Sequence, residues 1–418
     1  MDSVDGEEEL AGPSRLPPLM KWIACGAVLA ALVIIGAQLA GGAGFSGDGA
    51  ADRSAPSASA GPHVAQWPSA DGACGSGLLP IVSSGPMPPN ATELRVLLGG
   101  DQLRKVDLDS GSATVVPGVA PKNGQLVTQL RGMSPTYAVL SGCDPLTNLG
   151  LVRVGPGGPA VVPTTGLLRN VIWATGQAWA VVGGGNSIPG TLRSLDDANT
   201  VQTPRGFTPL GVIGSHYIGE QLPMGPLASE DLPTVQMRDL RDGDDASMRV
   251  GRGQVIAVTP TGVLWFPPCP NALRIACTLI FQPLAPPGPA RSIQLPPGRM
   301  PTARGVVSPD GGRVAFTMQR AAQDSRYPSD AAPTDVGVLA TSSGSITIVP
   351  GVELPTAPVP GLAFSDNGWL ILALNNGPTT RLLAWRPGLA RPYESPVVHA
   401  AATGRPPLVV LPSGPSRR

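Results

Sequence analysis

Val307-Ser308-Pro309-Asp310-Gly311-Gly312-Arg313-Val314-Ala315-Phe316 is an apolar approach, a tight turn and a second apolar run within ten residues. Its glycine supplies the positive φ that such a turn demands. The phrase returns three times. Phe364-Ser365-Asp366-Asn367-Gly368 leads into Trp369–Leu374, and Val258-Thr259-Pro260-Thr261-Gly262 leads into Val263–Phe266. Ile172–Gly176 leads into Ala178–Val182. Each copy reads as two strands joined by a turn ending in Gly.

The spacing of those glycines carries the reading further. Gly176 to Gly262 is 86 residues, twice 43; Gly262 to Gly311 is 49 and Gly311 to Gly368 is 57. A period of roughly 40–57 residues with four short strands marks a β-propeller blade. The Ser-Pro-Asp-Gly…Val-Ala-Phe phrase resembles the repeat of TolB-type and related WD-repeat-like propellers, well at two copies and partly at two more. That resemblance implies a binding or scaffolding module more often than an enzyme. The expected fold class is all-β: about seven blades over residues 78–412, with no amphipathic helix. Leu94–Leu98, Leu103–Leu108 and Ala113–Val116 form the first recognisable strands. With strands A to D labelled outward from the axis, the first blade starts at its B strand. Its missing A strand comes from the C-terminal run Leu408–Leu411, with Ile81-Val82 as the competing donor.

Ahead of the propeller stands one unbroken apolar run, Trp22 to Ala40. At ~1.5 Å per helical residue it reaches about 28 Å, close to a bilayer's ~30 Å hydrocarbon core. It is too long for a signal-peptide core, and it is apolar on all faces. Arg15 and Lys21 precede it while only Arg53 follows nearby, which directs the N-terminus to the cytoplasm. The layout is then an acidic cytoplasmic leader (1–21), a single-pass transmembrane helix (22–40), a disordered Gly/Ala/Ser/Pro stalk (41–77), the propeller (78–412) and a disordered tail (413–418). As a coil the stalk spans about 35 Å. Four cysteines follow the span, an even number that an oxidising compartment pairs. Cys269 and Cys277 flank a short Pro-rich insert and are expected to clasp a hairpin loop; Cys74 then pairs with Cys143 by elimination. Zinc spacing is missing, so no metal is expected.

Charge sorts by loop type. The tight A–B and C–D turns hold Asp109, Asp196, Asp197, Asp242, Asp244, Asp245, Asp310 and Asp366. The D–A connections hold Lys122, Arg169, Arg205, Arg252, Arg299 and Arg304 against a lone Glu353. The long B–C loops, Gly183–Gly190, Gly219–Pro233, Pro267–Ala276 and Gln319–Asp335, emerge on the same face as the D–A connections, where binding function usually sits. Those six basic residues are the candidate ligand-binding set, a basic rim for an anionic partner: an envelope glycan, a phosphate-bearing polymer or an acidic protein loop. Because only three lysines accompany many arginines, the codon usage of a high-GC bacterial genome also accounts for Arg in solvated loops. A formal net charge of zero gives no reason to invoke nucleic acid.

Catalytic signals are poor. Of three histidines, His63 falls in the stalk, His399 near the terminus, and His216 beside Tyr217 in a strand. No G-x-S-x-G elbow occurs, Cys74-Gly75-Ser76 lacks the rest of a papain-type phrase, and Asp242-Gly243-Asp244-Asp245 lacks calcium-loop spacing. Gly183-Gly184-Gly185 lacks the strand and helix around a phosphate loop. The expectation is a membrane-anchored extracytoplasmic propeller that binds or scaffolds an envelope protein or anionic envelope polymer, with no cofactor and no catalytic residue. The alternative is a propeller hydrolase or lyase acting on envelope glycans or peptides.

Overall fold

Among the described residues, seven antiparallel sheets stand around one axis. The computed structural model describes residues 80–412 apart from 120, 122–124, 133, 142–149, 165, 175–176, 186–187, 198, 224–231, 242–246, 270–276, 321–332, 355–358, 377–378 and 399–404. The leader, the apolar run Trp22–Ala40 and the stalk lie outside them. Among the described residues no helix is long and apolar enough to cross a membrane.

From the axis outward, blade 2 is Leu126–Arg131, Thr136–Ser141, Gly150–Gly155 and Gly158–Val162. Blade 3 is Leu168–Ala174, Gln177–Gly183, Gly190–Ser194 and Thr200–Thr203; blade 4 is Phe207–Ile213, His216–Gln221, Thr234–Asp239 and Ser247–Arg252. Blade 5 is Gln254–Thr259, Gly262–Phe266, Thr278–Pro283 and Arg291–Gln294. In blade 6 the inner strand is split into Arg299–Pro301 and Val306–Val307. Both pieces pair with Arg313–Arg320, followed by Thr334–Ala340 and Ile346–Ile348. Blade 7 is Gly361–Phe364, Leu370–Asn376, Thr379–Trp385 and Tyr393–Glu394.

Blade 1 joins the two ends of the described chain. Leu408–Val410 is its inner strand, antiparallel to Arg95–Leu98 with Val96 opposite Val410, and Arg104–Asp107 and Ala113–Val115 complete the sheet. The C-terminal run therefore closes the ring. Ile81–Val82 instead pairs with Val352–Glu353 at the outer side of blade 6, and Gly85–Pro86 adds a parallel strand outside Tyr393–Glu394 of blade 7. Residues 81–86 are thus a strap over two outer edges.

The recurring turn has one physical plan. In blade 6 Ser308 Oγ accepts a hydrogen bond from Arg313 N (2.8 Å) and donates to Asp310 Oδ1, which also receives Gly312 N (3.0 Å). In blade 7 Ser365 Oγ accepts from Trp369 N (2.9 Å) and donates to Asn367. In blade 5 Thr259 Oγ1 accepts from Gly262 N (3.0 Å). Gly311 (φ +71°) and Gly368 (φ +85°) take the left-handed conformation that lets the turn close.

Packing repeats in the same way. Among the described residues seven buried apolar clusters are found, each shared by two neighbouring blades. The cluster that joins blade 7 to blade 1 contains Leu94, Val96 and Leu98 from one end of the described chain and Leu408 and Val410 from the other. Each sheet face finds its apolar partner only in the next blade, so closure completes the core.

Candidate functional site: an arginine cluster in the axial channel

Every inner strand contributes to one central cavity of about 500 Å³. As strands, the inner strands pair on their outward side only, so backbone N–H and C=O groups face the axis. Into this channel come three guanidiniums: Arg131 from the end of blade 2's inner strand, Arg304 from the break in blade 6's inner strand, and Arg405 from the approach to the closing strand.

Their surroundings differ. Arg131 donates from Nε to Val171 O (3.2 Å) and from an Nη to Leu130 O (3.1 Å), so two carbonyls hold its fork across blades 2 and 3. Arg304 donates to Glu220 Oε2 at 2.9 Å, and the other oxygen of Glu220 accepts from Val255 N at 2.6 Å. Glu220 is buried, fixed by the blade 5 backbone, and turns Arg304 toward blade 4. Arg405 has neither a hydrogen bond nor an ion pair among the described residues. Burial lowers the pKa of Arg405. Burial, followed by the nearby positive charges of Arg405 and Arg304, brings Arg131 down to about 10. The charges of Arg405 and Arg304 both act on Arg131, so the three guanidiniums share one electrostatic site.

The other described lining residues include no His, Cys, Asp or Glu. The two lining hydroxyls, Thr259 and Ser308, are engaged in the turns described above. Among the described residues no group of three or more His, Cys, Asp or Glu is placed to hold a metal ion. The chemistry that the described lining side chains offer is therefore hydrogen-bond donation and positive charge.

Of the six basic residues expected at the rim, Arg304 reaches the channel. Arg299 is taken up elsewhere: its Nε donates to Asp335 Oδ2 (2.7 Å), and Asp335 also receives Arg320, which bridges on to Glu353 (2.7 Å). Burial pulls the Asp335 carboxyl up, but hydrogen bonds from Arg320 and Arg299 outweigh it and hold the group below the usual carboxylate range. Arg169, Arg205 and Arg252 are exposed and do not line the channel, and Lys122 lies outside the described residues. The turn acids act locally: Asp109 receives Thr92 N, Thr92 Oγ1 and Glu93 N, and Asp196 receives Ala178 N. Asp242, Asp244 and Asp245 are outside the described residues, as are His63 and His399. His216 is half-exposed, 4.0 Å from Asp239 and hydrogen-bonded to Ser215. Cys269 and Cys277 are bonded, their Cα atoms 5.0 Å apart, at the base of blade 5's B–C loop; Cys74 and Cys143 lie outside the described residues.

Arg131 and Arg405 were missed from sequence, though each carries a signal. Arg131 ends an otherwise uncharged inner strand, Leu126-Val127-Thr128-Gln129-Leu130. Arg405 occupies the connection from blade 7 to blade 1, the same class of position as the six that were named.

No family model and no curated protein matches the chain. Solved structures resemble it in fold. AztD from Citrobacter koseri aligns over 76% of this chain and 97% of its own at 10% identity, TM-score 0.43. The β-propeller domain of the Trilobed protease from Pyrococcus furiosus aligns over 76% and 97% at 11% identity, TM-score 0.47. The acylaminoacyl peptidase of Pyrococcus horikoshii aligns over 76% of this chain and 52% of its own at 10% identity, TM-score 0.46. Identities of this size speak to the fold alone and assign no ligand.

Proposed function

We propose that this chain is a non-catalytic binding propeller, tethered to the cell membrane by residues 22–40 with its N-terminus cytoplasmic and its propeller outside. Its partner is an anionic envelope component, a polymer or an acidic protein surface, and it engages the axial channel. The observation that carries the reading is the gathering of Arg131, Arg304 and Arg405 in one cavity with Glu220 as the described carboxylate beside them. A fixed cluster of donors in a partly desolvated cavity favours charge-assisted binding. The channel's lack of an acid–base pair among its described residues favours binding over hydrolysis or lyase chemistry. The apolar run, its flanking charges and the even cysteine number support the membrane placement.

Two measurements test this. A C-terminal tag on intact cells should be open to added protease while an N-terminal tag is protected; the reverse pattern, or recovery in the cytosol, removes the placement. The detergent-solubilised full chain should be retained on isolated anionic envelope polymer, and the double variant Arg131→Gln/Arg405→Gln should lower retention at least tenfold. Equal retention of wild type and variant removes the channel.

A further inference from the structure

We infer that the three channel guanidiniums form a site for a doubly charged tetrahedral oxyanion, the phosphoryl group of a phosphate monoester. The inference rests on the anion-binding reading above and sharpens it to one chemical class.

Charge comes first. Three guanidiniums face one carboxylate, so 3 − 1 leaves two uncompensated positive charges among the described groups. A monoanion would leave one of them unanswered; a dianion balances the set.

Hydrogen-bonding capacity agrees. A guanidinium carries five N–H donors. Arg131 uses two on Leu130 O and Val171 O, and Arg304 uses one on Glu220. All five of Arg405 are unassigned among the described residues. These donors come from blade 2, blade 6 and the connection into blade 1, so they approach from different directions. A planar carboxylate is satisfied by one fork, whereas a phosphoryl group presents three oxygens on different sides. The cavity of about 500 Å³ holds that group and a sugar-sized remainder.

The arrangement also disfavours the empty protein. Burial, with the like charges of Arg405 and Arg304 added to it, lowers the affinity of Arg131 for its proton, and nothing described relieves Arg405. A cluster that opposes folding and is relieved by an anion has the properties of a ligand site, where local stability is given up for binding. Glu220 then has a positioning part: anchored on Val255 N, it holds Arg304 in place and keeps the cluster from carrying three uncompensated charges.

The test uses the full chain in detergent at constant ionic strength, with calorimetric titration of inorganic phosphate, sulfate and acetate. Phosphate at pH 8 and sulfate should bind at least tenfold more tightly than acetate. Phosphate binding should weaken severalfold toward pH 5.5 as its second charge is lost, while sulfate binding stays level. Arg405→Gln should lower phosphate affinity at least tenfold while raising the melting temperature of the unliganded protein, an outcome that misfolding cannot imitate. Glu220→Gln, which keeps the acceptor for Val255 N, should tighten phosphate binding. Source is separated by comparing a soluble sugar monophosphate with vesicles displaying phosphatidic acid: binding of the first places the ligand in solution, binding of the second at a lipid surface. Acetate binding as tightly as phosphate overturns the dianion inference and leaves the anion reading standing. No binding of any anion, with Arg405→Gln silent, removes both.

Discussion

Asp335 shows how this molecule treats a buried charge that is not aimed at a ligand. Its side chain is 2% exposed and receives both Arg299 and Arg320 at hydrogen-bonding distance. Neutralising Asp335 takes the shared anion from Arg299 and Arg320, which are each 25% exposed while Arg320 keeps Glu353, so the loss is that of a charge-assisted hydrogen bond, about 1.5–3 kcal/mol. Asp335→Asn should therefore lower stability by that order in urea titration at pH 7. The sign with pH follows from the direction of the shift. The folded-state pKa is depressed, so the stabilisation is present above the ordinary carboxylate value and is lost as pH falls through the lower folded value. The gap between wild type and Asp335→Asn should accordingly be wide at pH 7 and narrow below about pH 4. A gap that widens in acid would contradict the geometry. Ser308 offers a contrasting case without charge. It is buried, and its hydroxyl both receives Arg313 N and donates to Asp310. Ser308→Ala should cost about 1–2 kcal/mol by leaving that amide without its partner, measured by the same titration. The hydroxyl at this place in blades 5, 6 and 7 was visible in sequence as Thr259, Ser308 and Ser365, because the turn needs it locally.

Among the elements, the strap over blades 6 and 7 is the part that sequence reading did not anticipate. Ile81–Val82 was weighed as an inner strand for blade 1 and lies at the outer side of blade 6. Two-residue strands carry no period, so nothing local separates an inner-strand donor from an edge cover. The split inner strand of blade 6 was hidden for the same reason, and with it the route by which Arg304 reaches the axis. The repeated turns were legible because their chemistry is confined to five residues. The arginine cluster was not, because its members meet only after the ring has placed blades 2 and 6 and the closing connection around one axis. Edge covering has a purpose: an unpaired outer strand is a template for pairing with other chains. Gly351 gives a way to lift the strap. It has φ +70°, its position would bring a Cβ to 2.5 Å from Ser83 O, and its carbonyl accepts Ser83 N at 2.7 Å. Gly351→Ala should release the strap at a cost of about 1–3 kcal/mol. Hydrogen exchange should then show lost protection at Val82 and Ser83 and along Val352–Glu353, with blades 2 to 4 unchanged. Protection retained at Ser83 would mean that the backbone there accommodates a side chain.

For the whole molecule the decisive feature is that seven apolar interfaces form a closed circuit. Each blade is hydrophobic on both faces, so opening any one interface exposes two faces at once and no blade can compensate for its neighbour. The interface between blades 7 and 1 differs from the other six because its two halves come from opposite ends of the described chain. It has the longest loop to close and therefore the largest entropic cost before its contacts form. Leu408, Val409 and Val410 are each at most 8% exposed, and burying three such side chains contributes about 1.5–3 kcal/mol apiece. A chain ending at Arg405, with residues 406–418 deleted, should lose stability well beyond the roughly 4–9 kcal/mol of those side chains, since Leu94, Val96 and Leu98 are uncovered with them. Arg405 remains in that chain, and the basic residues removed are Arg417 and Arg418 at the end of the tail. Limited proteolysis should cut first within residues 94–115, and the urea transition should shift far down or lose its single step. Adding the missing segment as a separate peptide should restore protection over Arg95–Leu98, because the vacated edge accepts the same strand in trans. A truncated protein that unfolds at the wild-type midpoint would show that the ring holds without this strand, and the axial site, which depends on the closing connection to bring Arg405 to Arg131 and Arg304, would then have to assemble some other way.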